Sequence, residues 1–103
     1  MQLEPIFAQN DKEWSQLVKS RADCHCEWMG CSNFMEVDPH HIIGRANKQT
    51  RLLIQNGICL CRKHHNQVEA LSKQSGQYDK VIKLLIGEKR WNLIQKILYR
   101  GTV

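Results

Sequence analysis

The sequence predicts a small α+β fold assembled around a bound metal and flanked by helices. Three observations carry that expectation. Two pairs of soft donors stand apart in the chain, Cys26 with Cys31 and Cys61 with His64. Apolar residues recur at helical spacing near both ends, and only short extended segments lie between them. The chain has 103 residues, 42% of them hydrophobic, which is enough for one domain with a modest core. Domains of this size often need a covalent or metal staple to fold.

The elements follow in order. Residues 11–21 (DKEWSQLVKSR) predict a helix, with Asp11 as cap, Glu13 in the first turn, and Trp14, Leu17 and Val18 on one face. Residues 24–32 predict a knuckle-like loop in which Gly30 permits a tight turn. Residues 34–43 read as extended, bent at Pro39. Residues 44–55 form a polar loop carrying Arg45, Lys48 and Arg51. Ile58 to Leu60 is a short strand, and a helix runs from about Arg62 to Leu71. Ser75-Gly76 breaks the chain. Tyr78, Val81, Ile82 and Leu85 then form one helical stripe ended by Gly87, and Trp91, Ile94 and Leu98 form another with Ile97 beside them. Both stripes are expected to serve as core or as a dimer face. No repeat, low-complexity tract or long linker divides the chain. The expected layout is one domain over 1–103, with an N-terminal helix and arm at 1–22, a metal-bound core at 23–72 and a helical pair at 73–103.

Composition narrows the class. Five cysteines are an odd number, and the start MQLEPIFAQNDKEW has no basic-then-apolar leader pattern, so a secreted disulfide framework is not expected. No apolar run approaches the roughly 18 residues of a membrane span. A reduced, cytoplasmic chain with thiols free for metal is the expectation. Fifteen basic residues against ten acidic give a formal charge of +5, which favours a polyanionic partner.

Zinc takes four tetrahedral ligands, and short-spaced pairs supply two from a turn and two from a helix start. Cys26 and Cys31 are separated by four residues, Cys61 and His64 by two. Binding at such a site contributes on the order of 10 kcal/mol to folding. The ligand choice is not unique. Cys24 is a substitute for Cys26, and Cys59 competes with Cys61, although its alternation with Ile58 and Leu60 favours packing. His65 adjoins His64, and the cysteine-to-histidine spacing favours His64 for zinc.

Three histidines are then left over: His40, His41 and His65. Adjacent strand residues point to opposite faces, so His40 and His41 can serve different purposes. His65 follows a zinc ligand at a helix start and is held rigidly by it.

Taken together, Cys26-x4-Cys31, the DPHHIIGR segment, the NGICLC segment and Cys61-x2-His64-His65 resemble the HNH endonucleases. That family has a ββα-metal (His-Me finger) site on a zinc-bound treble-clef scaffold. The similarity is to small nucleases common in phages and mobile elements, and it covers about Cys26 to His65. The resemblance implies metal-dependent hydrolysis of DNA phosphodiester bonds. It implies His41 as the general base, His40 and His65 as ligands of a catalytic Mg²⁺, Mn²⁺ or Ni²⁺ ion, and Asn56 as the residue that holds the loop and orients the base. Two neutral ligands leave such an ion fully charged and with open positions. His64 stands where cysteine is also common, and Pro39 precedes the histidine pair, with no role assigned to Asp38. Arg45, Lys48 and Arg51 are candidates to hold flanking phosphates. A chain this short leaves room for few base-edge contacts, so specificity is expected to be low or to come from a protein partner or from DNA structure, while a homodimer would allow double-strand cuts. The alternative is a non-catalytic zinc module that binds nucleic acid on the same scaffold.

Overall fold

The structure is a computed structural model that describes residues 4–74 and 76–100, the side chain of Arg100 apart. Ser75 of the expected Ser75-Gly76 break and the two ends of the expected domain therefore lie outside the described residues. The architecture is mixed α/β. Helix α1 (Asp11–Arg21) precedes an antiparallel pair of strands, β1 (Val37–His41) and β2 (Gly57–Cys61), with a 3-10 turn at Ile54–Asn56 leading into β2. Helices α2 (Arg62–Leu71), α3 (Gln77–Ile86) and α4 (Glu88–Arg100) complete the chain. No helix among the described residues is long and apolar enough to cross a membrane.

The cap of helix α1 lies one residue before the expected one. Asn10 is extended and its side chain accepts the Glu13 N–H at 2.8 Å, while Glu13 accepts the Gln9 N–H at 3.0 Å. Asp11, expected to cap, is instead the first helical residue and is free for other partners. Trp14 and Val18 are buried, and the Trp14 indole N–H donates to the Leu53 carbonyl at 2.8 Å. Leu17, expected on the same apolar face, is exposed. Residues 6–8, ahead of α1, are tied to the segment before β2. Ala8 N–H donates to Leu52 O and Ile54 N–H to Ile6 O, and Phe7 bridges Leu53.

Strand β1 runs straight through Pro39, where a bend was expected. The register pairs Pro39 with Cys59, His40 with Ile58 and His41 with Gly57. Both main-chain groups of Cys59 point away from β1: its N–H donates to a Glu27 carboxylate oxygen and its carbonyl accepts the Glu27 N–H, each at 2.7 Å. Pro39 therefore faces Cys59 in a non-hydrogen-bonded pair, and its missing N–H costs no ladder bond. The extended segment is shorter than 34–43, with Phe34 and Met35 exposed. The expected polar loop at 44–55 is only partly a loop, since Thr50, Leu53, Ile54 and Gln55 are buried in it.

The outer side of β2 is closed by side chains in place of a third strand. Beside Glu27, Arg21 donates to the carbonyls of Ile54 (3.0 Å) and Gly57 (2.7 Å) and pairs with Glu27 at 2.7 Å. Arg90 from α4 donates to Gln55 O at 2.9 Å and to Gly57 O, with Glu27 3.6 Å away. Burial lowers the Arg90 guanidinium to about 10, so it remains a cation at neutral pH. Ile82 of α3 and Ile94 and Ile97 of α4 join one buried cluster with Trp14, Val18, Leu53, Ile58 and Leu60. The C-terminal stripes are thus core.

Two faces of the strand pair emerge. Gly57 lies against α1 so closely that an added Cβ would stand 2.4 Å from Val18 and 2.7 Å from Trp14. Its φ of −110° is ordinary, so glycine is required here by proximity and not by backbone conformation. Gly57→Ala should destabilise the protein by about 1–3 kcal/mol through overpacking. Chemical denaturation checks this, and an unchanged midpoint would show that α1 yields freely.

Candidate functional site

The soft donors converge. The ligand atoms of Cys26, Cys31, Cys61 and His64 all lie within 4.8 Å of one another. His64 Nδ1 stands 3.5 Å from Cys26 Sγ and 3.3 Å from Cys61 Sγ. A zinc ion with Zn–S bonds of ~2.3 Å places tetrahedral ligands roughly 3.5–3.8 Å apart, so the set is compatible with zinc as a Cys3His site. The knuckle brings its pair together through a turn in which Cys31 N–H donates to Trp28 O at 2.9 Å, with Gly30 at φ +78°. The second pair straddles the β2–α2 junction. Trp28 stacks on the His64 ring, centroids 4.7 Å apart and planes 2° from parallel, which fixes the ring with Nδ1 toward the sulfurs.

The thiols of the cluster are shifted in opposite directions. Burial pushes the Cys26 thiol up to about 11, against the backbone N–H groups of Cys61 and Trp28. Burial acts on Cys61 in the same direction, but the His64 N–H at the helix start and the neighbouring thiols hold it below its usual value. The two open alternatives resolve geometrically: Cys24 is exposed and outside the group, while Cys59 is fully buried with its thiol donating to Val18 O at 3.6 Å.

His40 and His41 diverge across β1. His41 shares a face with Gly57 and stacks on Trp14, centroids 3.7 Å apart and planes 4° from parallel. Its Nε2 lies 3.0 Å from the Arg51 carbonyl. A carbonyl only accepts, so Nε2 carries the proton and Nδ1 keeps a free lone pair in the neutral ring. Burial holds His41 below its usual value, opposed by the Arg51 carbonyl, so the neutral form prevails at neutral pH. Beside it opens a cleft of about 220 Å³ lined by Asp11, Trp14, Ser15, Pro39, His41 and Arg45.

His40 turns to the other face, where its ring meets His65 of α2 edge to face with centroids 5.1 Å apart. Burial lowers His40 to about 4, and the neighbouring His65 adds to the effect. The Tyr78 hydroxyl from α3 lies 3.1 Å from His40 Nε2, and Glu69 lies 3.2 Å from His65 Nε2. Trp14, Tyr78 and Glu69 were not singled out from the sequence as site residues. Tyr78 was visible there only as part of an apolar stripe, and Trp14 as a core position.

Asn56 is fully buried and fully used. Its Oδ1 accepts the Ile43 N–H at 2.8 Å, and its Nδ2 donates to Ile43 O at 3.0 Å and Thr50 O at 3.1 Å. Its own carbonyl accepts the Ile42 N–H at 2.8 Å. The chain just beyond His41 is thereby clamped from two sides. Among the expected phosphate-binding residues, Arg51 and Arg45 both reach Asp11, Arg45 at 3.3 Å, and the Arg51 hydrogen bond holds that carboxyl below the usual range. Lys48 lines a separate hollow with Asn10, Asp11, Arg51 and Leu52.

No protein family, curated protein or solved structure matches this chain. The site must therefore be read from its own chemistry.

Native protein is expected to hold one zinc per chain. Thiol labelling should then modify Cys24 alone. A strong chelator should expose Cys26, Cys31 and Cys61 together, with release of the ion and loss of helical circular dichroism. Rapid labelling of all three without chelator would exclude a metal at the cluster.

Proposed function

We propose that this chain is a metal-dependent DNA endonuclease of the HNH type, with a ββα-metal site on a treble-clef-like zinc scaffold. The geometry of His41 carries this reading, because it suits a general base. Its Nε2 proton is committed to the Arg51 carbonyl, its ring is stacked on Trp14, and the following backbone is pinned by the buried Asn56. The His41 Nδ1 has no hydrogen-bond partner among the described residues, and the residue lines the cleft.

In this mechanism Nδ1 of His41 takes a proton from a water molecule, which attacks phosphorus in line. The Arg51 carbonyl steadies the imidazolium that results, through the Nε2–H it already accepts. His40 and His65 would hold a divalent ion, which when bound stabilises charge on the leaving 3′ oxygen. Arg45, Arg51 and Lys48 would take flanking phosphates, with Arg45 and Arg51 exchanging Asp11 for the DNA backbone. The Cys3His group holds no substrate in this scheme; it fixes His65 by anchoring its neighbour His64.

Two imidazoles are a borderline donor set, better suited to Ni²⁺ or Mn²⁺ than to Mg²⁺, which prefers oxygen. Zinc-loaded protein should therefore cleave plasmid at lower concentrations of Ni²⁺ or Mn²⁺ than of Mg²⁺. His41→Ala, with its zinc content unchanged, should slow cleavage by roughly 10²–10⁴-fold. Plasmid left intact with all three ions, or a His41→Ala variant as active as the parent, would leave the non-catalytic zinc module as the better reading.

A further inference from the structure

The His40–His65 pair is bounded by a group that neither the zinc cluster nor the base chemistry uses. Tyr78, on the first turn of α3, is partly buried, and its hydroxyl lies 2.7 Å from the Ile42 carbonyl. A phenol has one proton to donate, and a carbonyl can only accept. The Tyr78 proton is therefore committed to Ile42. The second contact of the same oxygen, to His40 Nε2 at 3.1 Å, then has only one consistent assignment, with His40 Nε2–H donating and Tyr78 accepting.

We infer that Tyr78 is a positioning residue that locks His40 as its Nε2–H tautomer, so that Nδ1 is the nitrogen His40 offers to a metal. The metal part of this inference rests on the reading of His40 and His65 as ligands of one catalytic ion. The tautomer part does not.

The local geometry agrees at three points. Metal-binding histidines characteristically donate their other ring N–H to an outer partner, which sets the tautomer. His65 follows the same pattern one helical turn from its partner, with Nε2 3.2 Å from a Glu69 oxygen and Nδ1 left over. That contact is more exposed and so weaker than the Tyr78 one. The ring separation also fits. With metal–nitrogen bonds of ~2.1 Å, two imidazoles at right to tetrahedral angles put their centroids roughly 4.5–5.3 Å apart. The observed 5.1 Å lies inside that span. Tyr78 also spans from α3 to the end of β1, so the C-terminal helices act on the site and do not merely cover the core.

Long-range ¹H–¹⁵N correlation on histidine-labelled, zinc-loaded protein at neutral pH reads the tautomer directly and needs neither activity nor a second metal. His40 is expected as Nε2–H. An Nδ1–H ring in the parent protein would overturn the inference with no variant required. In Tyr78→Phe, with zinc content and circular dichroism preserved, the His40 tautomer should become mixed. Calorimetric Ni²⁺ affinity of that variant should fall about 10- to 100-fold. A pure Nε2–H signal and parental Ni²⁺ affinity in Tyr78→Phe would also overturn it. If the parent shows the Nε2–H ring but binds no second ion, the tautomer assignment to Tyr78 stands and the endonuclease reading falls.

Discussion

The convergence of Cys26, Cys31, Cys61 and His64 is the constraint on which the rest of this structure depends. It closes the chain over the segment that contains β1, the clamped loop and β2. A core of this size gives little energy to hold such a closure, whereas a bound dication at four donors contributes on the order of 10 kcal/mol. The consequences spread along the sequence from each ligand. Glu27, next to Cys26, is delivered to the outer edge of β2. Trp28 is delivered to the face of His64. His65, next to His64, is delivered opposite His40.

The strand pair then divides labour by the alternation of its side chains. On one face, Gly57 leaves the space that Trp14 fills, and the His41 ring lies flat on that indole. On the other, His40 meets His65 under Tyr78. Asn56 sits where both faces originate, and its amide spends every donor and acceptor on the backbone around residues 43 and 50. A carboxylate there would have no hydrogen to give to the two carbonyls, and an aliphatic residue would leave the Ile43 N–H and carbonyl without their Asn56 partners. The geometry of the site is thus fixed by main-chain bonds and a stacked ring more than by charge.

Much of the fold was legible because it is written in local spacing. The cysteine pairs, the alternation around Cys59, the α2 start after Cys61 and the apolar stripes of α3 and α4 all follow from short-range periodicity. What was not legible depends on partners distant in sequence. Asp11 has the chemistry of a cap, but Arg51, forty residues on, engages it and Asn10 caps instead. Pro39 reads as a bend until the pairing register shows that its nitrogen faces away from β2. Tyr78 reads as one apolar position among four, and only the fold sets its hydroxyl between Ile42 and His40. In the histidine cluster, residue type pointed to metal or base chemistry, but which nitrogen each ring presents required the acceptors to be seen.

The Glu27 carboxylate has a consequence for how copies of this chain can meet. A two-stranded sheet ordinarily offers two raw edges to any passing strand. Here one edge is occupied by Glu27, Arg21 and Arg90, and the other carries Pro39, which has no hydrogen to share. Templated strand addition, the common route to aggregation and domain exchange in small β proteins, is therefore opposed on the β2 side by three side chains and on the β1 side by a missing donor at its centre.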